Sequence, residues 1–168
     1  LIIIVTWFLF PVTATLIASF FLERAAQAVE NKHFPNLPAP RGQNLSEILK
    51  ITFKFTGLSV VLNLLALPVY FVFFFLGPLN LFVFYALNGY LLGREYFELI
   101  AHRRIEPLQT IHLRGAFRGQ MFLAGVIITF LMTIPVVNLI APVIATAAMV
   151  HLVQGWRRIN RYKAFIIV

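Results

Sequence analysis

The chain has 168 residues, of which 60% are hydrophobic and 12% charged, with a mean hydropathy of +0.86; soluble domains carry about twice that share of charge, so the composition places the protein in a lipid bilayer. Fourteen Lys and Arg against six Glu leave a net charge of +8, which would suggest nucleic acid if the basic residues formed one solvated face, but they stand between apolar runs. Cysteine is absent, and disulfide frameworks, thiolate nucleophiles and thiolate metal sites are excluded with it.

The sequence opens on Leu1-Ile2-Ile3-Ile4-Val5, with no basic segment before it and no small-residue cleavage site after it. We read this as the interior of a longer chain rather than a signal peptide, and expect N-terminal elements to be missing ahead of Leu1. Residues 1–22 contain no Lys, Arg, Asp or Glu and hold fourteen Leu, Ile, Val and Phe; at 1.5 Å per residue they span about 30 Å, the thickness of the hydrocarbon core. That predicts a transmembrane helix. Ala25, Ala26, Gln27 and Ala28 are good helix formers, so the helix continues past Glu23 and Arg24 as a cytoplasmic extension, covering 1–33. Pro35, Pro38, Pro40 and Gly42 then make 34–46 a loop.

Residues 55–93 form a second charge-free run of 39 residues, which as one helix would reach about 60 Å, twice what a bilayer hides. It must turn back, and Gly77-Pro78-Leu79-Asn80 is where: Gly-Pro ends one helix, and either Pro78 as a first-turn residue or Asn80 as a cap starts the next. The third run, 119–156, repeats the arrangement with Pro135-Val136-Val137-Asn138 near its middle and Pro142 after it. The organisation is a first hairpin over 47–104, a connector over 105–118, a second hairpin over 119–163 and a tail over 164–168, all one transmembrane domain. The two hairpins share a loose pattern of basic flank, apolar helix, Pro with Asn at the tip, apolar helix and Arg-rich exit, either a weak internal repeat of the kind that marks a transporter's midplane site or chance likeness among apolar hairpins.

All fourteen basic residues fall between or after the charge-free runs and none at a tip. By the positive-inside rule both hairpins enter and leave from the cytoplasm. Two readings of the tips remain: full crossings with tight turns, or re-entrant hairpins. Phe73-Phe74-Phe75-Leu76 and Ile134-Pro135-Val136-Val137 are odd choices for turns in water, and irregular backbone is tolerated inside lipid where protein buries it or a wet cavity borders it.

Without Asp or Cys, and with only His33, His102, His112 and His151, the chain has no metalloprotease pair, no flanking carboxylates and no nucleophile elbow. No enzyme activity, metal or cofactor is expected. The most polar stretch joined to an apolar helix contains Arg94, Glu98, His102, Arg103 and Arg104. Arg94 and Glu98 are i, i+4 neighbours, as are Glu98 and His102; they form either a ladder stabilising an interfacial helix, or a cationic vestibule in which Glu98 orients Arg94 while Arg103 and Arg104 attract anions. Glu23 and Arg24 sit at the interface or, packed beside a missing element, form a gate.

Gly93-Arg94-Glu95-Tyr96-Phe97-Glu98 followed by His102-Arg103-Arg104, together with Thr133-Ile134-Pro135-Val136-Val137-Asn138-Leu139-Ile140-Ala141-Pro142-Val143, resembles the CysZ sulfate permease family, within the wider etoposide-induced membrane-domain group. The first span, ending Phe21-Leu22-Glu23-Arg24-Ala25, is similar to that family's long helix, so nearly the whole chain is covered. The resemblance implies an all-α integral membrane protein with long transmembrane helices and two half-membrane hairpins. It also implies a homo-oligomer that imports sulfate across the bacterial inner membrane for cysteine synthesis. The family's first transmembrane helix, with its Gly-Leu-Arg motif, has no counterpart before Leu1. Glu95-Tyr96-Phe97-Glu98 also stands where better-known members carry an Asp-Tyr-Pro-like stretch.

The mechanism expected is a passive or gradient-driven conduit, with no ATP site, in which half-helix N-termini near Asn80 and Asn138 turn bare N–H groups toward the sulfate ion. A rival of another class is a non-transporting scaffold whose hairpins wedge one leaflet and whose charge grips anionic membrane lipids.

Overall fold

A computed structural model describes the backbone of residues 2–75 and 77–166 and the side chains of residues 17–75 and 77–160. Among the described residues every regular element is an α-helix: α1 (Ile2–His33), α2 (Leu45–Phe74), α3 (Leu79–Ala101), α4 (Pro107–Ala116), α5 (Arg118–Thr133), the single turn α6 (Pro135–Asn138) and α7 (Ala141–Ile166).

The local signals act where their chemistry requires. α1 runs unbroken through Glu23 and Arg24 and stops with Lys32 and His33 in its last turn, cations that suit the negative end of the helix dipole. The apolar side chains of residues 1–16, on which the first transmembrane span rests, lie outside the described side chains. α2 starts after an extended Asn44, whose carbonyl accepts from the amides of Glu47 (2.9 Å) and Ile48 (3.1 Å). Gly77 turns the chain with a φ of +60°, a left-handed conformation that only glycine adopts without steric cost. Pro107 opens α4 at its first turn, so the segment over 105–118 that reads as a connector holds a helix of its own. At Phe117 the chain turns by 85° from α4 into α5. The corner is fixed by Phe117 stacking on Trp156 at 5.3 Å, while the Trp156 indole donates to Gln120 Oε1 at 2.5 Å. α7 continues to Ile166, into the stretch expected as a tail, whose residues 167–168 lie outside the described ones.

α3 is the centre of the molecule, packed against α2, α5 and α7, with α1 lying on α7. Phe97, Ile100, Met121, Met149, Val150 and Val153 form the middle of the core. The closest approach is between α3 and α5. A Cβ on Gly125 would fall 1.8 Å from the Gly89 carbonyl oxygen and 2.7 Å from Gly93 Cα, and one on Gly93 would fall 2.4 Å from the Met121 carbonyl oxygen. Gly89 and Gly93 are a Gly-x-x-x-Gly pair, the spacing that lets membrane helices meet backbone to backbone. Because Gly89 meets Val126, Gly93 meets Met121, and Tyr85 Oη lies 3.3 Å from Thr133 Oγ1, the two helices run antiparallel. The start of α3 and the end of α5, where the two tips begin, therefore lie at the same end of the molecule.

Among the described residues one helix, Leu45–Phe74, is long and apolar enough to cross a membrane, and α4 with α5 form a bent pair that passes the same test together. Ala66 is the one buried residue of α2. Val60, Val61, Leu64, Leu65, Leu67 and Phe71 all stand exposed on it, an apolar surface far beyond what water tolerates on a monomer.

A charged layer at the C-terminal end of α3

Past Gly93, α3 changes from an apolar helix into one with Arg94 and Glu98 buried in its flank and ends beside His102 and Arg103, also buried. The loop before α2 closes this end: the Arg41 amide donates to the Arg103 carbonyl at 2.7 Å and the Gln43 side chain to the His102 carbonyl at 2.8 Å. Two carbonyls that no further helix turn can satisfy are thereby paired. Arg41 in turn bridges Glu47 and Glu106, tying the starts of α2 and α4 together.

Two carboxylates organise the arginines. Glu30, 1% exposed near the C-terminal end of α1, accepts from Arg104 Nε (2.9 Å) and Nη2 (2.7 Å) and from Arg103 Nη2 (3.0 Å). Burial alone would push its carboxyl up, but the hydrogen bonds and charges of Arg104 and Arg103 together hold it below the usual carboxylate range. Glu98 accepts from Arg94 Nε at 2.8 Å and from Arg114 of α4. His102 is buried, which pushes its imidazole below the ordinary histidine value; Glu98 and Glu47 oppose the shift and Arg41 and Arg114 reinforce it. Its Nδ1 is buried without a protein partner.

Two cavities open at this layer. One, of about 170 Å³, lies between α2, α3 and α4 and is lined by Lys50, Lys54, Arg94 and Arg114 with Glu98 as its carboxylate. The other, of about 360 Å³, lies between α1, α2 and α3 and carries Glu23, Glu95, Glu98 and Arg103. Four cations and one carboxylate give the smaller cavity a cationic lining: the guanidinium groups offer forked donors and the lysines compact charges, a combination whose chemistry suits a tetrahedral oxyanion.

The residues singled out by sequence separate into different places. Arg94 and Glu98 are paired in the smaller cavity's wall, as the i, i+4 spacing suggests. Arg103 and Arg104 are both engaged by Glu30, a partner that separations of 73 and 74 residues hide from any local reading, and Arg103 also lines the larger cavity. Glu23 pairs with Arg103 rather than with Arg24. Arg24 is exposed, its guanidinium lying 4.3 Å from the Phe20 ring centroid, and lines neither cavity. At the tips, Pro78 is the residue before α3 and Asn80 lies inside its first turn, while Pro135 opens α6 and Asn138 ends it. Asn80 and Leu81 donate their amides to the carbonyls of Gly77 (3.2 Å) and Pro78 (3.0 Å), and Asn138 donates to Ile134 (2.8 Å). These three amides are taken up by tight local turns. Lys50, Lys54, Arg114 and Glu30 are site residues that the sequence reading does not single out; the legible signal is the i, i+4 spacing of Lys50 and Lys54, which puts both on one face of α2.

A family described as Sulfate transporter CysZ/Etoposide-induced protein 2.4 matches residues 1–142. The chain belongs to that family. The match takes in the first hairpin, the charged layer and the smaller cavity, and reaches Pro142 at the start of α7. No curated protein and no solved structure matches the chain. Membership fits a membrane setting and gives the protein a sulfate-transporter type of function.

Proposed function

We propose that the protein imports sulfate across the bacterial inner membrane for cysteine synthesis, passively or down a gradient, with the cavity between α2, α3 and α4 as its cytoplasmic anion site. The observation that carries this reading is the convergence of Lys50, Lys54, Arg94 and Arg114 on a cavity containing a single carboxylate. A dianion entering it meets net positive charge without being sealed in, because the lysines are exposed and exposed charge is screened by water and salt. Binding strong enough to enter and weak enough to leave is what conduction requires. Arg103, Arg104 and Glu23 serve this site from behind, by holding the end of α3 against α1.

In this reading the hairpins are re-entrant. α5 has 16 residues, about 24 Å of helix against about 30 Å of hydrocarbon, and the tip residues Val136 and Leu139 are 80% and 84% exposed, as suits contact with lipid or a second subunit. The uncovered face of α2 supports a homo-oligomer in the membrane on the same grounds.

Proteoliposomes loaded with the full chain and given radiolabelled sulfate test the proposal. Uptake above empty vesicles is expected, with Arg94→Ala and Arg114→Ala each slowing it at equal folded yield. Uptake no faster than in empty vesicles would favour a scaffold gripping anionic lipid.

A further inference from the structure

Glu98 is held differently from Glu30. Glu30 spends both oxygens on Arg103 and Arg104 and faces neither cavity. Glu98 uses one oxygen, Oε1, for both Arg94 and Arg114, leaving its other oxygen without either guanidinium. It also lines both cavities, and the residues common to the two walls are Ile51, Glu98 and His102. A single carboxylate oxygen bridging two guanidinium groups imitates one oxygen of a bound oxyanion. Side chains of Lys50 and Lys54 complete the cationic wall around it.

We propose that Glu98 is a tethered stand-in for the permeating anion: its carboxylate holds the Arg94 and Arg114 pair until a tetrahedral dianion takes its place, and its departure opens the wall between the two cavities. This rests on the sulfate-transport reading above and names how that site selects and gates. The exchange favours a dianion because the incoming ion must outcompete a carboxylate for the same donors. Sulfate brings twice the charge and three further acceptor oxygens for the lysines, whereas chloride brings no more charge than the group it displaces and cannot fork across guanidinium donors. Selectivity then comes from the repulsion an ion must overcome as much as from the donors it gains.

The test is equilibrium binding of radiolabelled sulfate to the full chain in detergent, with chloride as competitor, for the wild type, Glu98→Gln and Glu98→Asp. Glu98→Gln keeps an acceptor for the arginines and removes the competing charge, so sulfate should bind about tenfold tighter or better and chloride should become an effective competitor. Glu98→Asp keeps the charge but withdraws it by one methylene, so its sulfate affinity should fall between the two. Liposomes carrying Glu98→Gln should pass chloride faster than wild-type liposomes. Sulfate binding by the wild type with no gain in Glu98→Gln, or with Glu98→Asp binding more weakly than the wild type, would overturn this proposal alone. No sulfate binding by the wild type would remove the transport reading and this one with it.

Discussion

The two ends of α3 are made on opposite terms. At the Leu79 end the surroundings are charge-free, the turn is local, and Phe74, Phe75, Val136 and Leu139 stand exposed. At the Ala101 end the two organising carboxylates are buried and each holds two arginines, Glu30 across more than seventy residues with Arg103 and Arg104, Glu98 closer in the chain with Arg94 and Arg114. The difference is one of where the free energy lies. A charge-free tip owes its form to backbone turns and apolar contact, and changing one side chain there removes little. A buried charged layer is costly to assemble and more costly to leave half assembled.

That contrast sets the order of expected effects. Glu30→Ala should be the most damaging, because it leaves the buried Arg104 guanidinium without a carboxylate and Arg103 with only the exposed Glu23, a loss of about 3–5 kcal/mol, read as a collapse of folded yield or of melting temperature in detergent. Next is Gly125→Ala, whose Cβ would overlap the Gly89 carbonyl and the Gly93 backbone; forcing α3 and α5 apart should cost about 1–3 kcal/mol, and a melting temperature equal to wild type would deny that the two backbones cross so closely.

Acid comes third. The Glu30 carboxyl is held below its ordinary value of 4.5 in the fold, so its contribution is fully present above that value and disappears as pH drops through the lower folded one. The His102 imidazole is also held below its ordinary value, 6.5. The unfolded chain therefore takes up its proton first, and stability declines as pH falls below 6.5. Both groups act in the same direction: melting temperature should decline from neutral pH downward, and Glu30→Gln should flatten the lower part of the curve. Smallest of all, Asn138→Ala at the second tip should change stability by no more than about 0.5 kcal/mol, since its amide bond to Ile134 involves no side chain. A large loss there would mean that the tip is built on side-chain polarity after all.

The helices are legible in the sequence because their signals are local. Charge-free runs mark the apolar lengths, Gly77 and Pro78 mark one reversal, and Ala25 to Ala28 carry α1 past its first charges. Arg94 and Glu98 can be paired from their spacing alone. The remainder of the layer cannot, since Glu30 meets arginines more than seventy residues away and nothing in the flanking sequence distinguishes it from a solvated glutamate. Lys50 and Lys54 look like ordinary flanking charges until α4 folds across from them, and α4 itself hides in a segment too short and polar to suggest more than a link. The asparagines mislead for a different reason. Asn is a good cap, but Gly77, Pro78 and Ile134 supply carbonyls one turn earlier, so the backbone satisfies itself first.

The glycine contact between α3 and α5 has a mechanical consequence. With no side chain between them to act as a bearing, the two rods cannot slide or twist past each other without backbone striking backbone, and they must travel as one strut. Any opening at the charged end therefore falls to the pieces less closely packed on α3: α4, which touches it lightly, and the outer rod α2, which rests on it along one side.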